Sequence, residues 1–140
     1  MFIRDARPDD EEAVLRLLRL IPGSVEMNAA QQAMAGQRFR ERPALEVLVA
    51  EMDGQVVGFL ALALTPGLTG LRALLGEMAV DPAHQRQGIG AALLEAAIQC
   101  ASRCGATHLL VDTSRGDPAA QEFYRACGFE AGGVAPLRIR

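Results

Sequence analysis

The sequence contains no tryptophan, one tyrosine and five phenylalanines in 140 residues. Half of it is nonetheless hydrophobic, so the core is expected to be built from Leu, Val, Ile, Ala and Met. No block of Lys or Arg occurs and the net charge is −3, which excludes a sequence-independent attraction to nucleic acid. Long apolar runs are missing too. The longest strand candidate, Val56 to Leu64, is far short of the roughly 20 residues that span a bilayer. Met1-Phe2-Ile3-Arg4-Asp5 becomes charged at once and lacks the apolar core of a signal peptide. A soluble cytoplasmic protein with neither a membrane nor nucleic acid as partner is expected. Cys100, Cys104 and Cys127 are odd in number and lack metal-ligand spacing. No metal is expected, and Cys100 and Cys104, one helical turn apart, read as small buried hydrophobes. No repeat, linker or low-complexity tract is visible, so one domain, 1–140, is expected, large enough to bury roughly two thirds of its unfolded surface.

What is present is a clear alternation of textures. Phe2-Ile3-Arg4 reads as a first strand, and Arg7 to Glu12 as the acidic start of a helix carrying Val14, Leu15, Leu17, Leu18 and Ile21 and ended by Pro22-Gly23. A second, weakly amphipathic helix is expected from a Ser24 cap to about Arg38 or Arg40, closed by Pro43. Two apolar runs around Asp53-Gly54 predict a β-hairpin. Pro66-Gly67 and Thr69-Gly70 break the chain, and Leu71 to Val80 gives a third antiparallel strand. A buried helix follows from about Gly88 to Cys104, then a strand centred on Leu109-Leu110-Val111, parallel to its predecessor. Asp117-Pro118 opens a last helix that ends at Gly128, with a short strand region in the tail around Leu137-Arg138-Ile139.

The most informative stretch joins the third strand to the buried helix: Val80-Asp81-Pro82-Ala83-His84-Gln85-Arg86-Gln87-Gly88-Ile89-Gly90-Ala91. Glycines at the mouth of a helix allow close backbone approach, and the unpaired N–H groups and dipole there favour an anion. A phosphate-bearing ligand is the reading. There is no Gly-Lys-Ser or Gly-Lys-Thr, and Gly88-Ile89-Gly90 lacks the third glycine of a dinucleotide fingerprint.

The arrangement resembles the GNAT superfamily of acyl-CoA-dependent N-acyltransferases. The family's pyrophosphate motif, Gln or Arg, two residues, Gly, one residue, then Gly or Ala, is matched by Gln85-Arg86-Gln87-Gly88-Ile89-Gly90. Its prelude, a hydrophobic strand ending in Val-x-Pro, is matched by Glu77-Met78-Ala79-Val80-Asp81-Pro82, and its Phe-Tyr then Gly-Phe motif by Phe123-Tyr124 and Gly128-Phe129. The resemblance implies an α/β (α+β) fold: a mixed, mostly antiparallel sheet of about six to seven strands, helices on both faces, and a splayed parallel pair forming an acyl-CoA cleft.

It also implies roles. Acetyl-CoA would be the acyl donor, its pantetheine arm paired with backbone groups of Met78 and Val80, its pyrophosphate held by N–H groups from Arg86 through Gln87, Gly88, Ile89 and Gly90 to Ala91, with Gln85 or Arg86 assisting. A backbone N–H near Met78 or Ala79, freed by a strand bulge, would polarise the carbonyl. Tyr124 matches the family tyrosine that hydrogen-bonds the departing sulfur, and Glu77 matches a position from which some members deprotonate the amine. Glu26, Glu51 and Asp112 are lesser candidates for that base. Where the family often has Asn at the start of the Tyr-bearing helix, contacting the CoA arm, this chain has Asp117, an equally good N-cap but an acceptor only when ionised. The demand on a base depends on the acceptor: a lysine-like amine costs about 4.6 kcal/mol to be neutral at pH 7, an α-amine only about 1 to 1.5.

The expected activity is direct acetyl transfer from acetyl-CoA to a primary amine of a small molecule or peptide. A non-catalytic CoA-binding sensor and a protein N-terminal acetyltransferase are the alternatives. A homodimer is a family-based expectation.

Overall fold

The computed structural model describes residues 1–21, 27–42, 44–111, 118–129 and 134–136. Its frame is set by the hairpin. Asp53 and Gly54 both take positive φ (53° and 78°), the twist that lets a two-residue turn bring Met52 opposite Gln55. This joins β2 (Leu45–Met52) to β3 (Gln55–Gly67). Contrary to the expected break at Pro66-Gly67, β3 runs through Pro66 and pairs Gly67 with Gly70 of β4 (Gly70–Val80). The proline is tolerated near the hairpin tip, where few ladder bonds depend on its missing N–H.

Among the described residues six strands lie in chain order across the sheet, within the expected six to seven. β1 (Phe2–Asp5) pairs antiparallel with β2, and β6 (Val134–Pro136) antiparallel with β5 (Ala106–Val111). Among the described strands only β4 and β5 run parallel, because α3 (Ile89–Arg103) carries the chain back across one face. The expected tail strand at 137–139 lies outside the described residues, and β6 is formed slightly earlier.

The helices differ from expectation at their ends. α1 (Glu11–Leu18) stops short of Ile21, with Leu20 and Ile21 held in tighter turns onto Leu17 and Leu18 carbonyls. α2 (Ala29–Glu41) is capped by Asn28, whose side chain accepts from the Gln31 N–H at 2.8 Å while the Gln31 side chain accepts from the Asn28 N–H. Ser24, proposed as that cap, and Pro43 lie outside the described residues. α2 ends on Arg42 in the left-handed conformation. α4 (Pro118–Ala126) starts at the expected proline.

Alternation along the strands divides the core into two layers. Leu48, Leu60, Leu62, Ala73, Leu75 and Leu109 meet Leu93, Leu94 and Ala97 of α3 on one face. Val47, Val49, Phe59 and Ala61 meet Val14, Leu17 and Phe39 of α1 and α2 on the other. Each fully buried Leu or Phe contributes about 1.5–3 kcal/mol. α3 sits close to the sheet at Gly58, where a Cβ would stand 3.2 Å from Leu93 and 3.3 Å from Ile89. The glycine fixes how near the start of α3 comes to the strands. Cys100 is buried as expected, its thiol pushed up to about 11 by burial, but Cys104 is exposed. At the sheet's far edge Arg4 grips Asp10 (2.7 and 3.1 Å) and Glu51 (3.1 Å), tying β1 and β2 to the start of α1. Among the described residues no helix is long and apolar enough to cross a membrane.

Candidate active site

The site begins with a one-residue irregularity in β4. Leu75 is opposite Leu62 and Glu77 is opposite Ala61, so Gly76 is an extra, bulged residue. Strict alternation from Ala73 and Leu75 would turn Glu77 toward α3. The bulge turns it the other way, onto the face of Ala61 that α1 and α2 cover. Met78 and Val80 then pack on the α3 side and Ala79 on the α1 side. The expected bulge is thus present, one residue before Glu77 rather than at Met78 or Ala79.

The same region follows the described pairing of β4 with β5. Described pairing between them ends at Leu75 and Val111. The Asp81 N–H donates to Val57 O at 2.8 Å, so by alternation Ala79 directs its backbone groups to β3 while Met78 and Val80 direct theirs away from it. The Val80 carbonyl already accepts from the Gln85 side-chain amide at 3.3 Å. Gln85 is therefore turned back onto the strand.

After Val80 the chain is braced by Asp81, which accepts from the Ala83 N–H at 2.9 Å, and passes through a short 3-10 turn, Pro82–His84. Arg86 (φ 64°) and Gly88 (φ 79°) both adopt the left-handed conformation. For arginine this costs about 1–2 kcal/mol. Gly88 is the N-cap of α3 and offers no side-chain cap. The first intrahelical bond is Ala92 N–H to Gly88 O at 3.0 Å, leaving the N–H groups of Ile89, Gly90 and Ala91 without a helical acceptor. The first turn of α3 carries no acidic side chain. Donors and dipole point to an anion position.

These groups share a cavity of ≈ 610 Å³, lined by Met78, Ala79, Val80, Gln85, Arg86, Gly88, Ile89, Gly90 and Ala91 together with Leu20, Ile21, His84 and Phe123. Nine of the residues singled out from sequence are thus brought together. Gln87 is not in the lining, and Asp117, Asp112 and Glu26 lie outside the described residues. The last four lining residues were missed. His84 adjoins the motif directly, and its Nδ1 is buried without a partner. Phe123 could have been found beside Tyr124, whereas nothing marked Leu20 and Ile21 as reaching the cleft.

Gly90 has a different local task from the one expected. A Cβ there would stand 3.3 Å from Phe123 Cζ, so the second glycine admits α4 against α3. Gly88, by contrast, has nothing within 4 Å of its Cβ position, and it is the glycine that opens the loop. Tyr124 is half-buried between Phe123 and Phe129, ring centroids 5.4 and 5.9 Å away at steep angles. Burial, with the Cys127 thiol adding to it, holds its phenol above the usual tyrosine range. The ring is presented behind Phe123 and does not line the cavity wall.

Glu77 faces a second, smaller chamber of ≈ 140 Å³ between α1, α2 and the sheet, lined also by Leu15, Leu18, Arg38, Phe39 and Phe59. The residue is exposed, while the part of its carboxyl that lies against the chamber walls is desolvated, which raises its pKa above the usual carboxylate range. Ala79, two residues on and on the same face, lines the larger cavity, about 7 Å along the strand. The two chambers are therefore neighbours along β4. Glu51, ion-paired with Arg4 at the other edge, is no candidate for the base.

A family model described as the acetyltransferase (GNAT) family matches residues 12–129. The chain is 34% identical over 92 residues to the aminoglycoside N(6')-acetyltransferase type 1 of Klebsiella aerogenes, covering 63% of this chain and 60% of that one. It is 34% identical over 87 residues to N-acetyltransferase family 8 member 3 of Rattus norvegicus, covering 61% and 38%. It therefore spans less than two thirds of either relative. A crystal structure of a transcriptional regulator from Bacillus halodurans C-125 superposes with a TM-score of 0.82 at 26% identity, covering 99% of this chain and 98% of that one. With the parallel pair, the bulge and the glycine loop in place, the conclusion is direct: this chain belongs to the GNAT acetyltransferase family.

Proposed function

We propose that the chain is an N-acetyltransferase that moves the acetyl group of acetyl-CoA directly to a primary amine of a small molecule or peptide. One observation carries the reading: Met78 and Val80, whose backbone groups turn away from β3, and the N–H groups at the start of α3 that have no helical acceptor line one cavity. That is a row of amide-pairing groups beside an anion site, which fits a pantetheine arm built of amides and ended by a pyrophosphate. The residues present fit the donor. Gly88 leaves open space where any side chain would begin, and Arg86 adds positive charge.

In this reading the amine comes from the α1 and α2 face and attacks the thioester carbonyl. Glu77 takes the amine proton, directly or through water, and a general base of this kind typically contributes about 10² to 10⁴ in rate. A backbone N–H beside the bulge stabilises the developing oxyanion. The C–S bond breaks as the C–N bond forms, and the Tyr124 hydroxyl donates to the departing thiolate. Burial keeps that phenol protonated and able to donate. The N-acetyltransferase names of the two relatives agree with this chemistry.

The test is thiol release from acetyl-CoA over a panel of primary amines, with the acetylated amine identified by mass. All 14 basic residues outside histidine are arginine, so the chain's own lysines give no background. Amine-dependent release is expected. Tight acetyl-CoA binding with no release above background for any amine would instead assign a CoA-binding module.

A further inference from the structure

We propose that the acceptor is an amino acid with a compact apolar side chain, its α-amine at Glu77, its carboxylate at Arg38 and its side chain in the chamber between α1 and α2. This rests on the N-acetyltransferase reading and names the substrate class of that site. The first support is size and lining. The chamber is ≈ 140 Å³, close to the roughly 150 Å³ apolar cavity that takes up a benzene ring, and apart from Glu77 and Arg38 its lining is apolar, with Val14, Leu15, Leu18, Phe39 and Phe59 its larger members. A group of that size with no polar atoms is what it can desolvate without penalty.

The second support is charge. The chamber holds one anion, Glu77, and one cation, Arg38, and the two form no ion pair with each other among the described residues. The other arginines in and just after α2 are engaged. Arg40 is held by Glu11 at 2.9 Å, while Arg42 donates to the Phe39 and Ala6 carbonyls and lies over the Phe39 ring. Arg38 has no such partner among the described residues. A guanidinium left free at the wall of an apolar chamber is suited to a planar carboxylate. One positive and one negative partner on the wall of an apolar recess complement a zwitterion with an apolar arm.

The chemistry balances. The neutral α-amine attacks the acetyl carbonyl, a C–N bond forms and the C–S bond breaks. The one proton the nitrogen loses passes to Glu77, and an equivalent proton is returned to the thiolate through water, giving an N-acetyl amino acid and free CoA with Glu77 again a carboxylate. An α-amine is also the acceptor that a carboxylate base can most readily serve, being partly neutral near pH 8.

The experiment measures kcat/KM for L-leucine, glycine, isopentylamine (leucine without its carboxylate), L-lysine and kanamycin, in the native chain, Arg38→Gln and Ala35→Leu. Leucine is expected to exceed the other four by about 10-fold or more. Arg38→Gln should raise KM for leucine about 10- to 100-fold and leave isopentylamine unchanged, and Ala35→Leu, at a position of α2 that lines the chamber, should depress leucine more than glycine. Equal loss for leucine and isopentylamine in Arg38→Gln would overturn the carboxylate assignment. If either variant fails to fold, the leucine to isopentylamine ratio in the native chain decides alone. Turnover of lysine or kanamycin without leucine overturns this inference and leaves acetyl transfer standing. No thiol release with any amine, in a protein that binds acetyl-CoA, overturns both.

Discussion

Gly90 and Phe123 meet where the two halves of the donor cleft close: the ring edge of Phe123 lies 3.3 Å from where a Gly90 Cβ would be. The start of α3 and the middle of α4, separated by 33 positions in sequence, are thereby set in register, and Tyr124 follows directly on the residue that makes the contact. Gly90→Ala is expected to push the ring by a few tenths of an ångström and raise KM for acetyl-CoA, and Gly90→Val to destabilise the fold by about 1–3 kcal/mol through overpacking. Phe123→Ala should relieve much of that penalty in the double variant. Additive effects in a thermal-melt double-mutant cycle would show that the contact is not shared.

Tyr124→Phe keeps the ring contacts with Phe123 and Phe129 and removes only the hydroxyl. The expected result is a kcat reduced about 10-fold or more with acetyl-CoA affinity little changed, since hydrogen bonds to charged groups contribute about 1.5–3 kcal/mol. Steady-state kinetics beside a binding titration separate the two. Because burial raises the phenol's pKa, loss of rate from its ionisation should begin only above the ordinary tyrosine value, near 10.

Glu77 gives a complementary acid limb. Desolvation raises its pKa, so the carboxylate needed as base is lost, as pH falls, at a higher pH than for a free glutamate near 4.3. The kcat/KM profile should rise with pH through that raised value, and Glu77→Gln should abolish this limb while lowering the rate about 10² to 10⁴-fold. An unchanged profile in Glu77→Gln would place the base elsewhere.

Asp10 makes a prediction for stability rather than catalysis. The Arg4 guanidinium, with the Arg7 N–H at 2.7 Å, holds its carboxyl below the usual range. A depressed carboxylate adds stability above its unfolded pKa near 3.9 and loses it as pH falls through the lower folded value. Asp10→Asn should therefore lower stability at pH 7 by about 1–3 kcal/mol, read as a fall in Tm. The gap to the native chain should shrink as the pH is taken below about 4.

Much of this site was readable because it depends on local chemistry. Asp53-Gly54 can take the paired positive φ of a two-residue turn, Gly88 the left-handed cap, and the Met78 to Val80 strand leads straight into both. What escaped depends on distant partners or on a single inserted residue. Gly76 looks like any strand glycine, yet as a bulge it reverses the face of Glu77 and moves it from the donor cleft into the chamber of α1 and α2. Asn28 competes with Ser24 as a cap on equal intrinsic terms, and only its reciprocal bond with Gln31 decides. The role of Gly90 depends on a ring in another helix, which no periodicity within α3 can announce. Leu20 and Ile21 reach the cleft because α1 ends a turn early, at Leu18.

The central claim is that the open edge of β4 and the first turn of α3 are one donor site. Backbone hydrogen exchange with and without acetyl-CoA tests it most directly. The account predicts protection of the amides of Met78, Val80 and residues 86–91 on adding acetyl-CoA. Saturable binding of acetyl-CoA that leaves those amides exchanging as before, with protection only elsewhere in the chain, would contradict it.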